Sequence, residues 1–353
     1  MPKDAPAIPD PCAAAKEAGL VYVNADMPGI SRIRAGTGFS YRDAQGHRIT
    51  DQEERRRLAA LAVPPAYTDV WICPDPRGHI QATGRDARGR KQYRYHPDFR
   101  ALRDSAKYDH MLEFAGLLPK IRAQVDQDMS RRGLPAHKVL ATVVFLLENT
   151  MIRVGNSDYA RQNRSHGLTT LRDRHVRFNG NEVRFRFNGK GGKEWDLGIR
   201  DRRVARIVRA AQDIPGQHLF QYLDKDGVRQ KITSTDVNDY LREITGSEVT
   251  AKDFRTWTGT VLAALALSEY EGFDSETAAR SNIREAIESV ASRLGNTPAI
   301  CRKCYVHPQI IEAYLAKELT LDLRDQIDDD LKKPGLRHEE KQVLKFLKKR
   351  LRT

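Results

Sequence analysis

The chain has 353 residues, 40% hydrophobic and 30% charged, with 60 Lys and Arg against 47 Asp and Glu for a net charge of +13. This is globular composition with room for one large or two medium cores; the longest apolar runs, such as Val261 to Leu267, are far too short to span a bilayer, and four cysteines do not make a disulfide scaffold. The positive balance suits a polyanionic partner, nucleic acid before a membrane surface, although a merely basic soluble protein has the same balance.

The opening MPKDAPAIPDPCAAAK has no basic-then-apolar signal pattern, so a cytosolic protein with reduced thiols is expected. Residues 1–20, rich in Pro and Ala at their start, are expected to be a flexible lead-in. Residues 21–100 read as a small mixed, β-rich domain. Tyr22 to Val70 mixes short strand-like pieces with turns, and a helix is predicted over Asp51 to Ala62, opened by Thr50 as cap with Glu53 three residues on. The stretch VPPAYTDVWICPDPRGHIQATGRDARGRKQYRYHP reads as short strands separated by Pro and Gly turns.

After Pro97 helical patterns take over, at Lys107 to Gln127 and Ala136 to Ile152, so the boundary of a second domain, residues 101–353, is placed near 97–107. Between Val176 and Ile199 apolar and polar residues alternate, broken by Asn179-Gly180 and Asn188-Gly189, which predicts a three-stranded antiparallel meander. Helices follow at about Arg202 to Asp213, Ser234 to Thr245, Asp253 to Leu267, Ser275 to Leu294 and Pro308 to Lys317, with a last one over Glu339 to Arg352. The fold class is α+β, a β-rich N-terminal domain followed by a mostly helical one with a small sheet.

Several stretches carry possible chemistry. Cys301 and Cys304 form one CxxC, but Cys12 and Cys73 are isolated and no second histidine joins His307 at finger spacing, so no metal site is expected. NGKGGKE lacks the spacing of a nucleotide-binding loop and joins two strands rather than opening a helix. It reads instead as a hairpin tip carrying Lys190, or as an ordinary solvated hairpin. GRDARGRKQYRYHP places Arg85, Arg88, Arg90, Lys91, Gln92, Tyr93, Arg94 and Tyr95 close together. On a strand Gln92 and Arg94 share one face and Tyr93 and Tyr95 the other. Such a dense, one-signed stretch fits nucleic-acid contact, against the alternative of a solvated strand with two core tyrosines. Arg153, at the end of VVFLLENTMIRVGN, and Arg255, in TAKDFRTWTGTVLAAL, look buried. Each is well placed for an anionic group or for a structural salt bridge to Glu148 or Asp253.

Taken in order, IRVGN, NGKGGKEW, KDFRTW and LGNTPAICRKCYVHP, with GRDARGRKQYRYHP before them, resemble the type IB DNA topoisomerases, in particular the compact poxvirus-like enzymes of bacteria. The resemblance runs from about residue 20 to 325. It implies a nucleophile at Tyr305, phosphate-binding arginines at Arg153 and Arg255, and a hairpin general acid at Lys190. Nine residues before the tyrosine, where the family often has histidine, stands Asn296, whose amide can still donate to a phosphate oxygen. The implied activity is relaxation of duplex DNA through a 3′-phosphotyrosyl bond without ATP, metal or cofactor. The implied enzyme is a monomer clamped around DNA, cytoplasmic and nucleoid-associated, its N-terminal domain over one DNA face. Tyrosine recombinases share the catalytic chemistry but usually carry histidine three residues before the second arginine, where this chain has Lys252. A non-catalytic DNA-binding protein would leave the five-residue set a coincidence.

Overall fold

The computed structural model describes residues 11–87, 89–270, 272–322 and 335–351, without the side chains of Asp104, Ser105 and Gln162. The chain divides into two compact units, Met1–His110 and Met111–Thr353.

The first unit opens with helix α1 (Pro11–Glu17), inside the expected lead-in, where Ala14 and Ala15 are buried with Phe99. Strands β1 (Ile30–Ala35), β2 (Gly38–Arg42), β3 (Thr68–Ile72), β4 (Ile80–Arg85) and β5 (Lys91–Tyr95) form one sheet in the order β2-β1-β3-β4-β5, antiparallel throughout. Helix α2 (Gln52–Ala60) turns Leu58 onto Ile30, Val70, Ile72 and Ala82. The helix starts one residue later than its sequence signals. Asp51, not Thr50, is the cap, accepting from the Glu54 N–H at 2.7 Å. A carboxylate caps more strongly here because it also faces the positive end of the helix dipole.

Helix α3 (Pro97–Met129) begins ten residues before the predicted start. Its part from Met111 onward belongs to the second unit. There α4 (Ala136–Thr150) is apolar on nearly every side, with nine buried residues, as a helix surrounded by others must be. It packs against α6 (Arg202–Gln212), α7 (Ser234–Thr245) and α8 (Ala251–Ser268). In turn α8 touches α9 (Glu276–Leu294), α10 (Pro298–Tyr305), α11 (Pro308–Leu315) and α12 (His338–Arg350). Between α4 and α6 lie a short helix, α5 (Ser157–Asn163), and the meander, β6 (Val176–Asn179), β7 (Glu182–Asn188) and β8 (Glu194–Arg200). Val183, Phe185 and Phe187 alternate inward along β7. A small hairpin, β9 (Gln221–Leu223) with β10 (Arg229–Lys231), went unread in the sequence because its strands are only three residues each. Among the described residues no helix is long and apolar enough to cross a membrane.

The last helix is part of the core. Val343, Leu344 and Leu347 are buried, while Leu351 is exposed. Beneath α12 the Arg122 guanidinium of α3 lies 2.6 Å from Glu148 of α4 and 2.8 Å from Glu340 of α12, all three side chains nearly buried. Removing one partner of a buried charge cluster is far more damaging than never having built it. Arg122→Met leaves two carboxylates facing each other. It is expected to cost about 3–5 kcal/mol in urea denaturation, and Glu148→Gln with Glu340→Gln in the same background should recover part of the loss.

Candidate active site

Two helix ends organise the site. Helix α4 stops at Met151, which adopts the left-handed conformation with φ 59°, and α9 stops at Gly295 with φ 63°. The terminal carbonyls of a helix carry partial negative charge and lack partners within it. Here they accept from two guanidiniums. Arg255, 4% exposed on the second turn of α8, donates through Nη1 to the Met151 carbonyl and through Nη2 to the Leu294 carbonyl, the latter at 2.5 Å. Arg153 donates through Nη2 to the Gly295 carbonyl at 3.2 Å and to Asn296 Oδ1. Glu148, one of the carboxylates weighed as a salt-bridge partner, is held by Arg122. Asp253 closes the N-terminal capping box of α8, accepting from Thr250 N and Oγ1, each at 2.8 Å.

The Arg153 segment is locked by backbone contact. Leu168 N donates to the Arg153 carbonyl at 2.9 Å and Thr169 N to the Val154 carbonyl at 2.7 Å. Gly167 makes this approach possible, since a Cβ there would lie 2.5 Å from the Arg153 carbonyl oxygen and 2.6 Å from Gly155.

Tyr305 is the last residue of α10. The sequence predicts no helix there, yet Thr297 caps α10, accepting from the Ile300 N–H at 3.4 Å, and Pro298 takes its first turn. Gly259 of α8 supplies the space for Tyr305. A Cβ at 259 would meet the Tyr305 carbonyl oxygen at 2.5 Å and its Cβ at 3.0 Å. Thr260 Oγ1 lies 3.3 Å from the same carbonyl and accepts from the His307 N–H at 3.1 Å, clamping the chain on both sides of Val306. The Tyr305 ring lies 5.2 Å below the Arg255 guanidinium, and Tyr305 interacts electrostatically with both Arg153 and Arg255.

Burial lowers the affinity of both guanidiniums for their protons, and Arg153 lowers that of Arg255 further, to about 10; the Tyr305 oxygen acts in the opposite sense. Both remain charged at neutral pH, beside each other and poorly solvated. Beside them Asn296 Nδ2 is buried without a hydrogen-bond partner among the described residues, as is Arg255 Nε. The arrangement is a cluster of donors without enough acceptors, the complement of a tetrahedral anion.

Lys190 sits on the loop joining β7 to β8, fully open to solvent. The loop is longer than the two-residue Asn-Gly turn read from the sequence. Asn188 pairs with Glu194, and five residues lie between them. Gly191 and Gly192 hold φ 79° and 80° at the tip, so side chains are disfavoured there. The base is fixed: Lys193 Nζ donates to the Ser292 carbonyl at 2.7 Å, and Trp195 packs so near Gly295 that a Cβ there would lie 2.8 Å from the ring. The Lys190 ammonium lies 5.8 Å from the centre of the Tyr159 ring, a neighbour on α5 that no sequence signal marked.

Arg153, Arg255, Asn296 and Tyr305 therefore converge, with Lys190 on the adjoining hairpin. The cysteines have another place. Cys301 is fully buried, and burial pushes its thiol up to about 11, so it stays protonated; Cys304 is half-buried, and neither is in a disulfide.

The basic stretch of the first unit lies along β4 and β5, except Arg88, which lies outside the described residues. Tyr93 and Tyr95 share a face, their rings stacked at 6.0 Å, but only Tyr95 packs into the core; Tyr93 is 46% exposed. Lys91 lies 5.8 Å from the Tyr93 ring centre. The stretch is less one-signed in space than in sequence. Asp86 accepts from Arg90 at 2.8 Å and from Gln92 at 2.9 Å, Arg85 lies 3.3 Å from Asp69, and Arg94 donates to the Ala62 carbonyl at 2.6 Å.

Residues 96–329 match the family described as eukaryotic DNA topoisomerase I, catalytic core, and residues 38–86 match bacterial DNA topoisomerase IB, N-terminal domain. DNA topoisomerase 1B of Acanthamoeba polyphaga mimivirus is 31% identical over 295 residues, 82% of this chain and 88% of the viral protein. DNA topoisomerase 1B of vaccinia virus (strain Copenhagen) is 23% identical over 266 residues, 72% of this chain and 80% of its own length. A catalytic-core match across most of the second unit, with a relative of that identity spanning nearly the whole chain, places the protein: it belongs to the type IB DNA topoisomerases, a family of isomerases.

Proposed function

We propose that this enzyme relaxes supercoiled duplex DNA by cutting and resealing one strand through Tyr305. The observation that carries the reading is that two partly desolvated guanidiniums, one of them over the Tyr305 ring and the other bonded to Asn296, gather with the unsatisfied Asn296 amide N–H. A DNA phosphodiester seated there receives donors from Arg153, Arg255 and Asn296. The Tyr305 oxygen attacks phosphorus, a 3′-phosphotyrosyl bond forms, and the bond to the 5′-oxygen breaks. A phenol is a weak nucleophile until its proton leaves, so the proton is lost to solvent as attack proceeds. The adjacent guanidiniums stabilise the charge that grows on the phosphorane, a role fixed donors fill without reorganising. Lys190 gives its proton to the departing 5′-oxygen. The covalent bond conserves the energy of the phosphodiester, so the free strand swivels and the reverse attack reseals it with no nucleotide consumed.

In this reading the first unit contacts the duplex through β4 and β5, with exposed Tyr93 and Lys91 as its foremost groups, and a single copy of the chain holds the DNA. Gly259 and Thr260 act as positioning residues, through the main chain of Tyr305.

Purified protein is expected to relax plasmid of either supercoil sign with EDTA present and ATP absent; folded protein that leaves the plasmid unchanged would refute the reading. Tyr305→Phe should bind DNA yet form no covalent adduct on denaturing gels, and a persistent adduct would move the nucleophile elsewhere. Lys190→Ala should slow single-turnover cleavage about 10²–10⁴-fold. A substrate with a 5′-bridging sulfur, whose thiolate leaves without an acid, should restore most of that rate, and an equal defect on both substrates would remove Lys190 from the acid role. Gly259→Ala should displace Tyr305 and cost about 10²-fold in cleavage while DNA binding persists; unchanged cleavage would show that α8 yields at this contact.

A further inference from the structure

A second basic feature of the catalytic unit is not used by this chemistry. Beside α5 lies a pocket of about 580 Å³ whose wall carries Arg161, Arg164, Arg172 and Arg174, with His166 and His175 at its side and no carboxylate among its lining residues. The two imidazoles lie 4.5 Å apart. Their ring nitrogens are oriented by the backbone: His166 Nδ1 donates to the Thr170 carbonyl at 2.8 Å, and His175 Nδ1 accepts from the Arg172 N–H at 3.1 Å. On its other side His175 Nε2 lies 3.4 Å from Arg174 Nε, a contact that ties the ring to the arginine wall. Among the described residues, a carboxylate pairs with one of the four arginines. Asp158 pairs with Arg161 on the exposed side of α5, Arg172 reaches Gln217 at 3.2 Å, and Asp173 faces His218.

The pocket is tied to the catalytic groups. Ala160 lines it, and the preceding Tyr159 lies under Lys190; Asn188 lines it two residues before Lys190, and its carbonyl accepts from His166 N at 2.7 Å. We propose that this pocket is a second phosphate site, which takes a backbone phosphodiester of the DNA other than the one at Tyr305. Guanidiniums in a concave wall suit phosphate, which accepts from two at once. The size leaves room for the flanking sugar as well as the phosphate. Burial, then His166, then Arg174 and Arg172 hold His175 down to about 4, and an anion in the pocket opposes the last three effects. A strand anchored here bears on α5 and on the base of the Lys190 hairpin, so the pocket is a positioning site.

The inference rests on DNA being the substrate, but its test needs no cleavage. In the Tyr305→Phe background, duplex oligonucleotide affinity is measured from 50 to 200 mM NaCl, with and without Arg172→Gln and Arg174→Gln together. Loss of one phosphate contact makes the slope of log K against log salt shallower by about 0.9, so the variant should lose about 3.5-fold less affinity over that range. Independently of any variant's folding, the His175 side-chain NMR signals of the Tyr305→Phe protein should move on adding duplex, with protonation shifted to higher pH. An unchanged salt slope with unmoved His175 signals overturns the proposal. Movement with inorganic phosphate but not with duplex overturns the DNA assignment in favour of a small free anion. Covalent adduct formation by the otherwise unaltered enzyme is scored separately, so failure of the transesterification reading and failure of this site are told apart.

Discussion

The site depends on hydrogen bonds from two guanidiniums to the carbonyls at the ends of α4 and α9. Burying one arginine is costly, and burying a second beside it adds repulsion. Hydrogen bonds to charged groups contribute roughly 1.5–3 kcal/mol each. Four such bonds, to Met151, Leu294, Gly295 and Asn296, offset the cost, and helix ends add favourable dipoles. Neutral acceptors also leave the positive charge available to an incoming phosphate. A carboxylate in their place would satisfy the guanidiniums and compete with the substrate. The folded protein therefore holds two guanidinium charges that an oxyanion would complement, the preorganisation that the proposed phosphoryl transfer needs.

The same economy of side chains shapes the backbone. Three close approaches set the catalytic geometry, and each uses glycine: Gly167 against Arg153, Gly259 against Tyr305, and Gly295 against Trp195. Helix α8 is the common support. It carries Arg255 inward, yields space to Tyr305 through Gly259 and is packed by the last three helices. The buried cluster of Arg122, Glu148 and Glu340 joins α3, α4 and α12 behind it, which makes the C-terminal helix a part of the catalytic unit's interior rather than a basic tail.

The meander and the long helices were legible because their signals are local. Val183, Phe185 and Phe187 alternate at period two, and α7 falls on the predicted residues with Thr233 as its cap. Elements of seven or eight residues were less readable. In α5 and α10 only two turns form, too few for periodicity, although the Thr-Pro at 297–298 was a usable start signal for α10. The residues that converge were legible only through the family's motif order, since nothing local in IRVGN or KDFRTW distinguishes a phosphate-binding arginine from a structural one. What sequence could not supply is tertiary: Tyr159 beneath Lys190, the four-arginine pocket, and Asp86 drawing Arg90 and Gln92 together.

Gly295 shows what such close assembly entails. Its carbonyl holds Arg153, its left-handed backbone ends α9, and its bare Cα rests against the indole at the foot of the Lys190 loop. One residue without a side chain thus joins the segment that holds Arg153 to the foot of the loop that carries Lys190. In the proposed mechanism, a duplex pressing on the hairpin would bear on the Arg153 segment through this joint, so the two halves of the site would be engaged together.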